Sequence, residues 1–119
     1  MIPAEQRSSI TQFELGQMFR KAPEDQRDYR QAAAWFARSA RQGLRDAQYM
    51  TGLMHARGLG VERDPVEAFA WLEVAAAQGS RKALRCLHRL QRELDPLQQR
   101  LGRERAKRYY CDFVSRENP

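Results

Sequence analysis

The middle of the chain carries its clearest hydrophobic pattern. Tyr49, Leu53 and Ala56 stand at i, i+4 and i+7, which predicts one face of a helix. Asp46 is a candidate cap for that helix. Gly58-Leu59-Gly60-Val61 breaks it, because glycine enters left-handed backbone freely and weakens a helix. Asp64-Pro65 restarts it with a side-chain acceptor, then a proline whose missing N–H does no harm in a first turn. Ala68, Trp71, Leu72, Ala75 and Ala76 form one face of the second helix, and Gly79 is expected to end it. Ser80 fits the start of a third, expected from Ala83 to about Leu94. Asp95-Pro96 echoes Asp64-Pro65, and the stretch from Leu97 to about Phe113 predicts a closing helix.

The same residue types return when the chain is shifted by 36 positions. Phe13 maps to Tyr49, Gly16 to Gly52, Asp28 to Asp64, Ala32 to Ala68 and Trp35 to Trp71. Phe36 maps to Leu72, Ala40 to Ala76, Gly43 to Gly79 and Ala47 to Ala83. A period of this length with this content marks a helical solenoid. Gly52, Ala68 and Ala76 let helices approach closely, while Tyr49 and Trp71, like Phe13 and Trp35 one unit earlier, fill the spaces left. A two-helix unit cannot bury both faces alone, so stacking makes the core.

At these residues the chain resembles the Sel-one-like repeat (SLR) family, a relative of the tetratricopeptide repeats. The second unit carries the pattern in Ala47, Tyr49, Thr51-Gly52, His55, Gly58-Leu59-Gly60-Val61, Asp64, Ala68, Trp71, Ala75-Ala76 and Gly79. Thr51 stands where leucine is usual, and His55 where tyrosine is usual. The first unit keeps Phe13, Leu15-Gly16, Phe19, Ala32, Trp35, Ala40 and Gly43, with the polar loop 21–27 in place of Gly-x-Gly-Val. The third unit keeps only a first helix. The resemblance and the period together imply an all-α fold: an α/α solenoid of two and a half helix-turn-helix repeats with a C-terminal capping helix. The boundaries expected are about 11–46 for repeat one, 47–82 for repeat two, 83–94 for a partial third and 96–114 for the cap. Ser8 and Ser9 are available to cap the first helix. Leu97, Leu101, Ala106, Tyr110 and Phe113 make an approximate apolar stripe for the closing one, and Ser115 to Pro119 is expected to fray.

Composition narrows the class further. With 119 residues, 42% hydrophobic and 30% charged, the chain is one small domain or a short array. Alanine, arginine, glutamine and leucine dominate and β-branched residues are scarce, which excludes a well-formed all-β protein. No run of 18 apolar residues predicts a membrane span, and Met1 to Ile10 has no secretory apolar core, so a cytoplasmic setting is expected. Cys86 and Cys111 match no zinc or redox spacing and read as small core residues rather than a disulfide. His55 reads as packing and His88 as surface. No metal, cofactor or catalytic constellation is visible, and Gly58-Leu59-Gly60 lacks the strand and the Lys-Ser/Thr of a phosphate loop.

Charge is unevenly placed. Residues 1–80 hold ten basic and ten acidic side chains, whereas residues 81–119 hold eleven and five, so the whole excess of +6 lies in the last third. The resemblance implies a non-catalytic adaptor or scaffold, with the first helices of successive units lining a concave groove. In that register the expected peptide-binding residues are Arg20, Tyr49, Leu53, Arg57, Lys82, Arg85, Arg89 and Arg92. An arginine stripe suits carboxylates, which it holds by charge-assisted hydrogen bonds, so the partner expected is an acidic or carboxylate-ended peptide. The alternative is a nucleic acid on the basic last third, with Tyr109 and Tyr110 stacking on bases. With so few units, self-association through an open end is also expected to be within reach.

Overall fold

Each helix starts and stops where local chemistry dictates. The computed structural model describes residues 4–115. Its helices are α1 (Ala4–Lys21), α2 (Tyr29–Arg41), α3 (Arg45–Arg57), α4 (Pro65–Ala77), α5 (Arg81–Gln91) and α6 (Pro96–Tyr109), and a π-helical turn follows over Tyr110–Val114. No strand occurs among the described residues. The Asp28 carboxylate accepts from the Gln31 amide, Asp64 from Glu67 and Asp95 from Gln98, so three of the helices begin on an aspartate cap. Gln98 answers Asp95 by accepting from its backbone N–H, completing a capping box. Ser80 caps α5 through the Ala83 amide.

The glycine loop of the second unit has two tasks. Gly58 ends α3 in left-handed backbone at φ 69°. Gly60, at φ 73°, passes so close to the start of α2 that a Cβ there would collide with the Tyr29 carbonyl. The loop therefore seals the first hairpin to the second as well as turning the chain.

The two units pack as antiparallel hairpins, α1 on α2 and α3 on α4, with α3 also against α2 and α5 against α4. The molecule measures 43 × 38 × 21 Å, and its thin dimension is two helix diameters, so it is a two-layer array. Ala32, Ala33, Phe36, Met50 and Met54 form the core of the first junction. Ala68, Phe69, Leu72, Ala75, Ala83, Leu87 and Leu90 form that of the second. Two glutamine pairs repeat with the period: Gln42 donates to Gln12 at 2.9 Å, and Gln78 to Gln48 at 2.5 Å. Gln48 is fully buried and also donates to the Ala40 carbonyl, so a polar ladder runs through the array alongside the apolar core.

Several expectations need correction. Asp46 caps nothing: α3 begins at Arg45 after Leu44, which turns its side chain into the Ala40, Ala47 and Trp71 cluster instead of capping. Ser8 and Ser9 lie inside α1, where the Ser9 carbonyl accepts from the buried Ser39 hydroxyl at 2.6 Å. Cys86 is partly buried against the second core, but Cys111 is exposed, and both are free thiols. Trp35 is only half-buried under the Arg38 guanidinium, because among the described residues no helix covers α2 as α6 covers α4. The closing helix keeps only part of its expected stripe. Ala106 is buried and Phe113 packs inward as expected, but Leu97, Leu101 and Tyr110 are exposed, and Gly102 and Tyr109 take the inward positions instead. The reason is shape: Gly102 lies against the Phe69 ring, and only a small residue fits there. Of the expected frayed tail, residues 116–119 lie outside the described residues.

Candidate functional site

The A-type helices α1, α3 and α5 border a cleft of about 780 Å³. Its floor is apolar and comes from Tyr49, Met50 and Leu53 on α3, with Phe13 of α1 beside them. Phe13 is held in place by Phe36, ring centroids 5.5 Å apart. One wall is the end of α1, where Arg20 and Lys21 stand. Arg20 is oriented by donating from Nε to Gln17 Oε1 at 2.8 Å. The opposite wall is the start of α5, with Arg81, Lys82 and Arg85. Arg45 and Asp46 complete the rim, their exposed charges 3.4 Å apart.

The electrostatics follow from that lining. Six cationic side chains face one carboxylate, Asp46. Among the described residues, Lys21, Arg81, Lys82 and Arg85 have no ion-pair partner. The Tyr49 phenol sits beside the Cys86 thiol, and its pKa is pushed up, first by burial and then by Cys86, against the opposing pull of Arg57 and Arg85. Tyr49 is therefore a neutral hydroxyl at physiological pH.

Of the eight residues expected from the sequence, Arg20, Tyr49, Leu53, Lys82 and Arg85 line this cleft. Arg57 and Arg89 instead border a smaller hollow of about 150 Å³ between α3 and α5, which Leu53 also touches. Arg92 ends α5 and is exposed outside both. The sequence reading left out Arg45 and Arg81. Both stand in the first turn of an A-type helix, and the Arg45/Arg81 pair recurs with the 36-residue period, which was the available clue. Tyr109, considered for base stacking, has its ring 4.6 Å from that of Trp71, so only Tyr110 of that pair is exposed. Among the described residues no cluster of three or more His, Cys, Asp or Glu is placed to hold a metal ion, and no helix is long and apolar enough to cross a membrane.

Stacked helical hairpins with a lined concavity define a tetratricopeptide-like solenoid. The Sel1 repeat model matches residues 9–44 and 45–80, more than half of the chain, and the protein belongs to that family. Two solved structures are similar. One is a protective antigen present in uropathogenic Escherichia coli strains that displays an SLR fold, with 29% identity and a TM-score of 0.84 over 90% of this chain and 23% of that one. The other is a Sel1 repeat protein from Oxalobacter formigenes, with 39% identity and a TM-score of 0.67 over 73% of this chain and 26% of that one. The chain thus spans about a quarter of each relative's length. A search of curated proteins finds no significant match. Sel1 repeat proteins generally act in protein–protein interaction and are typically non-catalytic.

Proposed function

We propose that this chain is a protein-interaction module that captures an acidic segment of a partner in the cleft between α1, α3 and α5. The observation that carries the proposal is the imbalance of the lining: six cations and one carboxylate around an apolar floor. Unpaired guanidinium groups bind carboxylates by short, charge-assisted and often bidentate hydrogen bonds. Burial of an apolar side chain against Tyr49 and Leu53 adds roughly 1.5–3 kcal/mol, the usual gain for such a group. The role is that of an adaptor, with no chemistry required of the module.

The test is direct binding. A fluorescein-labelled glutamate-rich peptide should bind, and its affinity should fall as salt rises from 50 to 500 mM. The double variant Arg81→Glu, Arg85→Glu should lower that affinity at least tenfold with unchanged helical circular dichroism, since both residues are exposed. Undiminished binding by the variant removes the site assignment. Tighter binding of single-stranded RNA or DNA than of the peptide, with a steep salt slope, favours a nucleic-acid partner instead.

A further inference from the structure

The cations are not spread evenly around the cleft. Five of the six stand in two groups on opposite walls, Arg20 and Lys21 on α1 and Arg81, Lys82 and Arg85 on α5, while the sixth, Arg45, stands at the start of α3 beside Asp46. Between them lies α3, whose Tyr49 and Leu53 offer apolar surface with no cation at the centre of the floor. Neighbouring helices in such an array lie about 8–10 Å apart. Two such steps, with the diagonal from the last turn of α1 to the first turns of α5, come to at least about 20 Å, or roughly six or seven residues of extended chain at about 3.3 Å each. A run of acidic residues gathered at one place can therefore satisfy one wall only, and the charges on the other wall stay unanswered.

Resting on the reading above, we infer that the cleft is specific for a split acidic motif: an extended segment laid across the A-type helices, with carboxylates at both ends and one bulky apolar side chain midway. Lys21 and Arg20 take one end, Arg81 and Arg85 take the other, and the central side chain enters the hollow beside Tyr49 and Leu53. Asp46, the single carboxylate on the rim, is paired with Arg45 at 3.4 Å, so the start of α3 carries little net charge and leaves the two walls as the cationic ends of the cleft. Specificity then comes from spacing rather than from total charge, because electrostatic complementarity distinguishes partners chiefly by what it leaves unpaired.

Three labelled seven-residue probes separate the possibilities. The split probe has two glutamates at each end and a central phenylalanine between serines. The clustered probe has the same composition with all four glutamates at one end. The third is the split probe with serine at its centre. Fluorescence polarisation should show the split probe binding at least tenfold tighter than either of the others. Lys21→Glu and Arg85→Glu, both at exposed positions, should each weaken the split probe at least fivefold. For the clustered probe only one of the two variants should matter. Equal affinity of the split and clustered probes overturns the spacing inference while leaving an acidic-segment module intact. Equal affinity with phenylalanine or serine at the centre overturns the apolar anchor. Failure of all three probes to bind at low salt overturns the module reading and this inference together.

Discussion

Glu67 holds more of the structure than any other single side chain in its neighbourhood. Its carboxylate accepts from Trp71 Nε1 at 3.2 Å, from Arg105 Nη1 at 2.9 Å, and from the Tyr109 hydroxyl at 2.9 Å on both oxygens. Two of those three donors belong to α6. Burial, then the hydrogen bond to Glu67 and its negative charge, push the Tyr109 phenol up to about 12. The folded value lies above the ordinary tyrosine value of about 10. The neutral phenol therefore contributes its stability fully below pH ~10, and that contribution is lost as pH rises towards 12. The thermal midpoint should fall more steeply across that window in the native protein than in Tyr109→Phe, and parallel curves would count against the linkage. Thr51 offers a test of the opposite sign. It is 4% exposed, and its Oγ1 is buried without a hydrogen-bond partner, as is Nδ1 of His55 one turn along. These are the same two residues that depart from the family pattern. An unsatisfied buried hydroxyl costs about 1–3 kcal/mol, so the near-isosteric Thr51→Val should raise stability by about 1 kcal/mol in urea unfolding.

At the scale of elements, α4 explains why a small array can hold together. It is apolar nearly all round, and a helix of that kind must be buried. Its Ala68, Leu72 and Ala75 belong to the core shared with α5, where Tyr49 of α3 also packs, and its Ala70 and Val74 meet Ala106 of α6. Gly102 shows how close the α6 contact is, since a Cβ there would stand 2.5 Å from the Phe69 ring. Helix propensity alone predicts that Gly102→Ala gains about 1 kcal/mol. Overpacking against a fully buried ring costs about 1–3 kcal/mol, and we expect it to win. The variant should unfold at lower urea with its helical signal retained; a stabilised variant would mean that α6 can shift outward freely. This contact also shows where the sequence stopped being legible. The helix starts at Asp64-Pro65 and Asp95-Pro96, the Gly58 stop and the period were all readable, because caps and breakers act within a few residues. The face of α6 was legible only in part, because Ala106 and Phe113 of the expected stripe do pack inward, while the large Leu97 and Leu101 are displaced by the small Gly102 and by Tyr109. Which stripe wins depends on the shape of α4, and that is a tertiary fact. The glutamine ladder was readable in principle: Gln12 and Gln42 recur at Gln48 and Gln78 under the same shift as the tryptophans.

On the scale of the whole molecule, the two ends of the array are treated differently from its middle. The outer face of α5 carries Arg81, Arg85, His88 and Arg89, all exposed, around a single exposed apolar residue, Leu84, and a largely polar outer face is what a solenoid end requires. The same helix supplies one wall of the cleft, so the charge that keeps this end soluble is also the charge offered to a partner. The net excess of the last third was legible in the sequence, but its division between the cleft and the outside of α6 was not, because helix phase and docking angle decide it. The second layer is closed by α6 and the π-helical turn, whose Phe113 stacks 5.8 Å from Trp71. The backbone of Phe113 also reaches the turn after α2, since its carbonyl oxygen would stand 2.7 Å from a Cβ at Gly43. Removing residues 96–119 would uncover Phe69, Trp71 and Val74 together, an apolar strip along one whole helix. Exposed strips of that kind drive association. The shortened chain should therefore sediment as dimers or larger species and bind a hydrophobic dye, while the full chain does neither at the same concentration. A monomeric shortened chain with a cooperative unfolding transition would show that α3 and α5 hold α4 without the closing helix, and that α6 is an addition to the array rather than its lid.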